Sequence, residues 1–247
     1  MQTFITYANI KQPFPFEQMP SELVPARLLA NHNPNLRVKQ RFQCRRLAHF
    51  LLWKLLGELE KNGECEIFKI NTALLAQIRR TASGRAQFSA QNIDFNTSHS
   101  GDWVAVILQV GDGAAVGIDI EVPKTRRFAD LLAHFAPTDE QQWLAAQRDQ
   151  RSAFYRAWCI REAVLKAQGV GIVALSSVRH LPEKSQIFTK HCPSGALYWR
   201  EPNSSDEPFF AAFAAQSKVE KNSLRLLHLN GDKLQECAAN WKIYAVN

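Results

Sequence analysis

The sequence predicts a mixed α+β fold, on three observations. Residues 36–60 carry Phe42, Leu47, Phe50, Leu51, Leu55 and Leu59 with helical spacing. Arg151–Gln168 shows the same period and stops at Gly169, the residue type that most readily makes the left-handed turn closing a helix. Around these helices lie short apolar, β-branched runs bounded by Gly, Pro and Asn, which read as strands.

Taken in order, Thr3–Ile10 is β-rich and predicts a strand. Residues 12–25 hold four prolines and predict an irregular connection, and Asn31-His32-Asn33-Pro34 is a further breaker. The helix of 36–60 follows, with Arg37, Lys39, Arg41, Arg45 and Arg46 crowding its first half. Glu66–Ile70 predicts a short strand, 71–80 a short helix ending in Arg79-Arg80, and Thr81–Ala90 a loop. Trp103–Val110 and Ala114–Glu121 flank Gly111-Asp112-Gly113 and predict a hairpin. Residues 122–130 read as loop or helix start, and Thr138-Asp139-Glu140-Gln141 as an N-cap with acidic first-turn residues. After the helix of 151–168, strands are expected at 187–190, 196–200, 209–215, 224–229 and 241–246. There is no internal repeat, and a boundary is expected near 111–114.

The 247 residues are 46% hydrophobic and 21% charged, which suffices for a sizeable core and excludes intrinsic disorder. The longest apolar run, Phe209–Ala215, has strand length and falls far short of the ~18 residues of a membrane span. The net charge of +7 favours an acidic partner. Cys44, Cys65, Cys159, Cys192 and Cys237 are odd in number and lack CxxC spacing, which argues against a disulfide framework or a structural zinc site. The first residues lack the basic and apolar regions of an export signal, so a cytoplasmic location is expected.

Three segments place polar groups unusually. In the strand pattern Ala114–Glu121, Asp119 and Glu121 share a face with Gly117, their Cα atoms about 7 Å apart. Two such carboxylates repel unless a cation lies between them, and oxygen ligands favour Mg²⁺ or Mn²⁺. A solvated strand face carries the same pattern. In the helix, Arg161 and Glu162 fall inside the apolar arc of Phe154, Ala157, Trp158, Val164 and Leu165, with Lys166 four residues on. That placement fits a third metal carboxylate, or an ion pair that snorkels to the surface. Asp94-Phe-Asn-Thr-Ser-His-Ser-Gly101 is rich in donors and turn formers, suited to holding a phosphate or to a hydrophilic turn.

Together these segments resemble the phosphopantetheinyl transferases of the Sfp type. The family pattern F-N-[IVL]-S-H-[SQ]-G is met by Phe95–Gly101, G-[IVC]-D-[IV]-E by Gly117–Glu121, and W-[STCA]-x-[KR]-E-[AS]-x-x-K by Trp158–Lys166, in order and spacing. The match covers about residues 94–171, with a looser one over 36–56. Thr97 replaces an aliphatic residue, Arg161 stands where lysine is commoner, and Gly84-Arg85-Ala86 stands where the family often has Gly-[KR]-Pro.

The resemblance implies an α+β pseudo-dimer of two similar halves, 1–112 and 113–247, with coenzyme A in the cleft between them and the metal site in the second half. It implies transfer of the 4′-phosphopantetheine arm of coenzyme A to a serine of an apo acyl or peptidyl carrier protein, releasing adenosine 3′,5′-bisphosphate. By motif position Asp119, Glu121 and Glu162 would hold Mg²⁺ (or Mn²⁺). Glu162, or a water it orients, would take the serine proton, and Lys166 would contact the pyrophosphate. Ser98, His99, Arg45, Arg85 and Arg161 would bind coenzyme A. Carrier specificity is expected at 125–150 and 165–180, and a pseudo-dimer implies a monomer. No nucleic-acid or membrane partner is expected. The rival readings are a non-catalytic relative that binds coenzyme A or a carrier, and a basic nucleic-acid-binding protein.

Overall fold

The computed structural model describes residues 1–61, 63, 70–216 and 224–247. In chain order come β1 (Gln2–Asn9), α1 (Leu36–Lys61), β2 (Arg79–Arg80), β3 (Ala86–Gln87), β4 (Ile93–Ser100), β5 (Trp103–Val110) and β6 (Val116–Glu121). There follow α2 (Phe128–Ala133), α3 (Thr138–Ala145), α4 (Gln150–Ala167), β7 (Arg179–Leu181), β8 (Gln186–Phe188), β9 (Gly195–Arg200) and β10 (Phe209–Ala215). Strands β11 (Leu224–Asn230), β12 (Lys233–Glu236) and β13 (Lys242–Val246) complete the chain. The expected α+β class is observed.

Two mixed sheets lie face to face between two long helices. The first has the order β12-β11-β1-β5-β4, the second β6-β10-β9-β13-β8-β7, and β2 and β3 form a small ribbon. Alternation along single strands shows the layering. On β5, Val104, Val106, Leu108 and Val110 pack with Leu47, Phe50, Leu51 and Leu55 of α1, while Ala105 and Ile107 meet Ile118, Ile120, Phe210 and Tyr198 of the second sheet. On β10, Phe209, Ala211 and Phe213 pack with Ala157, Ile160 and Val164 of α4. Both faces of each central strand are therefore buried, which is why β5 and β10 read as nearly continuous apolar runs.

Local chemistry sets the helix starts. Asn35 Oδ1 accepts from Arg37 N (2.9 Å) at the head of α1, and Asp149 Oδ1 from Ser152 N (3.0 Å) at the head of α4. Twice along the chain a long helix leads to a 3-10 turn and a short strand: α1, Thr72–Gln77 and β2; then α4, Ile172–Ser177 and β7.

Several expectations need correction. The hairpin predicted across 111–113 is not formed. Strand β5 pairs instead with β4 across Gly101-Asp102 and with β1, so both its edges are taken. Gly101 sits at φ +58°, the conformation a two-residue hairpin turn requires there, and Gly111–Gly113 becomes the crossover between sheets. A division at 112/113 separates β5 from β6, but β11 returns to pair in parallel with β1, so the first sheet draws on both halves of the chain. Thr138 does not cap α3; Pro137 holds that position. The strands β2, β4, β7 and β12 were not foreseen: the helix expected at 71–80 is a 3-10 turn that ends before Arg79-Arg80, which form β2, residues 94–100 are strand rather than a turn, and β3 interrupts the expected loop at 81–90. The strand expected at 66–70 and Cys65 lie outside the described residues, Ile70 excepted. Among the described residues Cys44, Cys159, Cys192 and Cys237 are free.

Candidate active site

Gly117 decides how the site is assembled. A β-carbon there would lie 1.9 Å from the Ala163 carbonyl oxygen and 2.7 Å from the Ala167 nitrogen. Only glycine lets α4 press its backbone onto β6. The glycine space beside Asp119 and Glu121 is thus filled by α4, and that approach brings Glu162 and Lys166 over the two strand carboxylates.

Asp119 is 3% exposed. Its Oδ1 receives Lys166 Nζ at 2.6 Å and Ser98 Oγ at 3.1 Å, while Oδ2 is buried without a partner. Lys166 Nζ also lies 3.7 Å from Glu162 Oε2. Burial, then the Asp119 charge, pushes the Glu121 carboxyl up. Burial likewise raises Glu162, opposed by Lys166 and reinforced by Asp119 and Glu121. Burial pulls Lys166 down, but the Asp119 and Glu162 charges outweigh it and leave the ammonium favoured. Three carboxyls thus converge on one ammonium, and burial is the first cause of the two that are raised.

Strand β4 presents two faces with different work. Asp94, Asn96, Ser98 and Ser100 point at the free edge of β6. Their side-chain oxygens accept from the backbone N–H of Val116 (2.9 Å), Ile118 (3.3 Å), Ile120 (3.3 Å) and Val122 (3.0 Å), each 22 residues on. This ladder of side chains satisfies an edge that would otherwise leave unpaired donors. Ser100 Oγ also donates to Glu121 Oε2 at 2.8 Å.

The other face carries Phe95, Thr97 and His99. Phe95 and Thr97 line a cleft of about 290 Å³ together with Arg27, Arg45, His49 and Arg80. Burial, then the charges of Lys166, Arg41 and Arg45, holds His99 below the usual imidazole range. An anion placed among these cations would oppose the part of that shift that comes from their charges.

The structure thus brings Asp119, Glu121, Glu162 and Lys166 together, with His99 and Arg45 on the neighbouring cationic side. Three residues expected to bind coenzyme A have their donors taken up by the protein itself. Arg161 is 0% exposed and points away from the carboxylates, its Nη1 and Nη2 donating to Glu140 and its Nε to Leu175 O (3.2 Å). The cost of burying a guanidinium is met by a paired carboxylate, which His180 Nδ1 shares at 2.7 Å. Arg85 is consumed as a staple: Nε donates to Lys166 O (3.0 Å), Nη2 to Asp94 Oδ2 (2.6 Å) and Val116 O (3.1 Å). Ser98 gives its one proton to Asp119 and accepts from Ile120 N and Lys166 Nζ, leaving no donor for a phosphate. Glu140 and Ser100 were missed. The polar alternation 94, 96, 98, 100 was the available signal for the latter.

Among the described residues no group of three or more His, Cys, Asp or Glu side chains is assembled to hold a metal ion. The donor chemistry nevertheless fits a divalent cation: the buried Asp119 Oδ2 lacks a partner, and two neighbouring carboxyls are raised. No helix among the described residues is long and apolar enough to cross a membrane.

Known proteins share these features. The pattern of the 4′-phosphopantetheinyl transferase superfamily matches residues 115–216, which include β6 and α4. A Haemophilus influenzae protein provisionally named a 4′-phosphopantetheinyl transferase is 53% identical over 203 residues, 81% of this chain and 83% of that protein. The 4′-phosphopantetheinyl transferase AcpT of Escherichia coli K12 is 36% identical over 104 residues, 40% of this chain and 50% of its own. The 4′-phosphopantetheinyl transferase Sfp of Bacillus subtilis is 34% identical over 79 residues, 32% of this chain and 34% of its own.

Proposed function

The chain belongs to the 4′-phosphopantetheinyl transferase superfamily, and from that premise we propose that it transfers the 4′-phosphopantetheine arm of coenzyme A to a serine of an apo acyl or peptidyl carrier protein. The observation that carries this reading is the convergence of Asp119, Glu121, Glu162 and Lys166 where β6 meets α4, beside a cleft lined by Arg45.

In this reading the serine oxygen forms a bond to the pantetheine-side phosphorus of the pyrophosphate. The bridging P–O bond breaks, and adenosine 3′,5′-bisphosphate leaves. Glu162, or a water it orients, accepts the serine proton. Lys166, held over the site by Asp119, offers a cation to the charge developing on the leaving oxygen. Asp119, Glu121 and Glu162 are the residues that would hold Mg²⁺, and Mn²⁺ is the substitute. When bound, that ion supplies charge neutralisation on the pyrophosphate oxygens. Arg45 and His99 bind the adenylate end. Arg161 and Arg85 are left out because their donors are occupied. The recurrence of helix, 3-10 turn and strand supports the reading of two similar halves.

The test is intact-protein mass spectrometry of an apo carrier incubated with this protein, coenzyme A and Mg²⁺. A gain of one phosphopantetheine, absent with EDTA and with Glu162→Gln, is the expected result. No gain across a panel of acyl and peptidyl carriers, with coenzyme A still bound, would assign the protein as a non-catalytic binder.

A further inference from the structure

The seam between β4 and β6 carries two hydroxyls whose hydrogen bonds exceed what the seam needs. Asp94 and Asn96 each accept a β6 backbone N–H. Ser98 and Ser100 do the same, and each also donates its proton to a carboxylate of β6: Ser98 to Asp119 Oδ1 at 3.1 Å, Ser100 to Glu121 Oε2 at 2.8 Å. A hydroxyl that already accepts a fixed backbone N–H has its rotation restricted, and its single proton is directed to the carboxylate. Both serines are buried, at 7% and 8% exposure, so water competes poorly for that proton.

We propose that Ser98 and Ser100 are positioning residues that orient Asp119 and Glu121 for divalent-cation binding. They act through the carboxylates. This rests on the metal-site reading above. The chemistry is that of outer groups which hydrogen-bond ligating carboxylates, whose loss typically weakens metal binding about 10- to 100-fold. Asn96 supplies the control within the same ladder, since it makes a seam bond of the same kind, to Ile118 N, rather than one to a carboxylate.

The experiment is a Mn²⁺ titration followed by electron paramagnetic resonance, with coenzyme A at a fixed saturating concentration. The readout is metal bound to protein, independent of turnover. Wild type, Ser98→Ala, Ser100→Ala, Ser100→Thr and Asn96→Ala are compared, with melting temperatures measured in parallel. The expected result is that each Ser→Ala change weakens Mn²⁺ binding about 10-fold or more. Ser100→Thr keeps the hydroxyl and stays near wild type, and Asn96→Ala lowers the melting temperature without that loss of affinity. Unchanged Mn²⁺ binding in the Ser→Ala variants, or an equal loss in Asn96→Ala, overturns the inference while leaving the metal site standing. If wild type takes up no Mn²⁺ beyond coenzyme A alone, the metal-site reading itself fails, and this inference with it.

Discussion

Lys166 Nζ lies 2.6 Å from Asp119 Oδ1, while the other oxygen of the same carboxylate, equally buried, has no partner. A carboxylate oxygen buried without a partner works against stability, and in the proposed reading it is the oxygen that would face the cation. Asp119→Ala is therefore expected to abolish carrier modification while the protein stays folded, its melting temperature within about 3 °C of wild type. Mass spectrometry and a thermal melt read the two outcomes. Normal turnover by this variant removes the metal-site argument.

Glu162→Gln keeps the shape of the side chain and removes its basicity. The kcat is expected to fall roughly 10²- to 10⁴-fold, the usual span for a general base, with little change in the coenzyme A KM. A variant in which KM rises and kcat holds would reassign Glu162 from base to binding group.

Arg45 lines the cleft on the far face of β4 and carries charge toward His99. Arg45→Ala should raise the coenzyme A KM by about 10-fold, as the loss of one charge-assisted contact implies, and leave kcat nearly unchanged. Steady-state kinetics at varied coenzyme A decide it, and an unaltered KM would take the adenylate end out of this cleft.

Arg161 belongs to the same motif as Glu162 and should behave oppositely. Its removal leaves Glu140 buried and unpaired beside His180. Arg161→Met is expected to cost about 3–5 kcal/mol, a drop of roughly 10 °C in melting temperature, with the coenzyme A KM of the folded enzyme intact. A selective KM effect without destabilisation would return Arg161 to the binding site.

Acid should destabilise the protein well before its carboxylates titrate. Burial holds His49 and His180 below the usual imidazole range, so the folded state binds fewer protons than the unfolded one. Stability is then fully present above the unfolded value of about 6.5 and declines as pH falls below it. Melting temperatures measured from pH 7.5 to 5.0 should fall, and His49→Gln should flatten that slope. A slope of the opposite sign would mean that these imidazoles are charged in the folded state.

The helices and the carboxylate pattern were readable because they depend on local period. Leu47, Phe50, Leu51 and Leu55 face one core, and Asp119 and Glu121 share a strand face, as spacing alone predicts. What spacing does not carry is partner choice. Trp103–Val110 has the same β-rich pattern whether it pairs forward to Val116 or back to Ser100, and the Gly101-Asp102 turn decided between them. Glu140 reads as an ordinary first-turn acid until Arg161 and His180 arrive from 21 and 40 residues away. Ser98 and Arg85 were read as free donors because acceptors that consume their protons, Asp119 for the first and Val116 O and Lys166 O for the second, lie across the seam.

The parallel pairing of β1 with β11 joins Thr3 to Leu224. Strand β1 is made more than 200 residues before β11 and must wait for it. Until then β5 covers one edge of β1 and the other is bare, a template for pairing with a neighbouring nascent chain. A chain that stops short of Leu224 would keep α1 and most of the first core yet carry that open edge, so shortened products are expected to aggregate even where every residue of the reaction centre has been made.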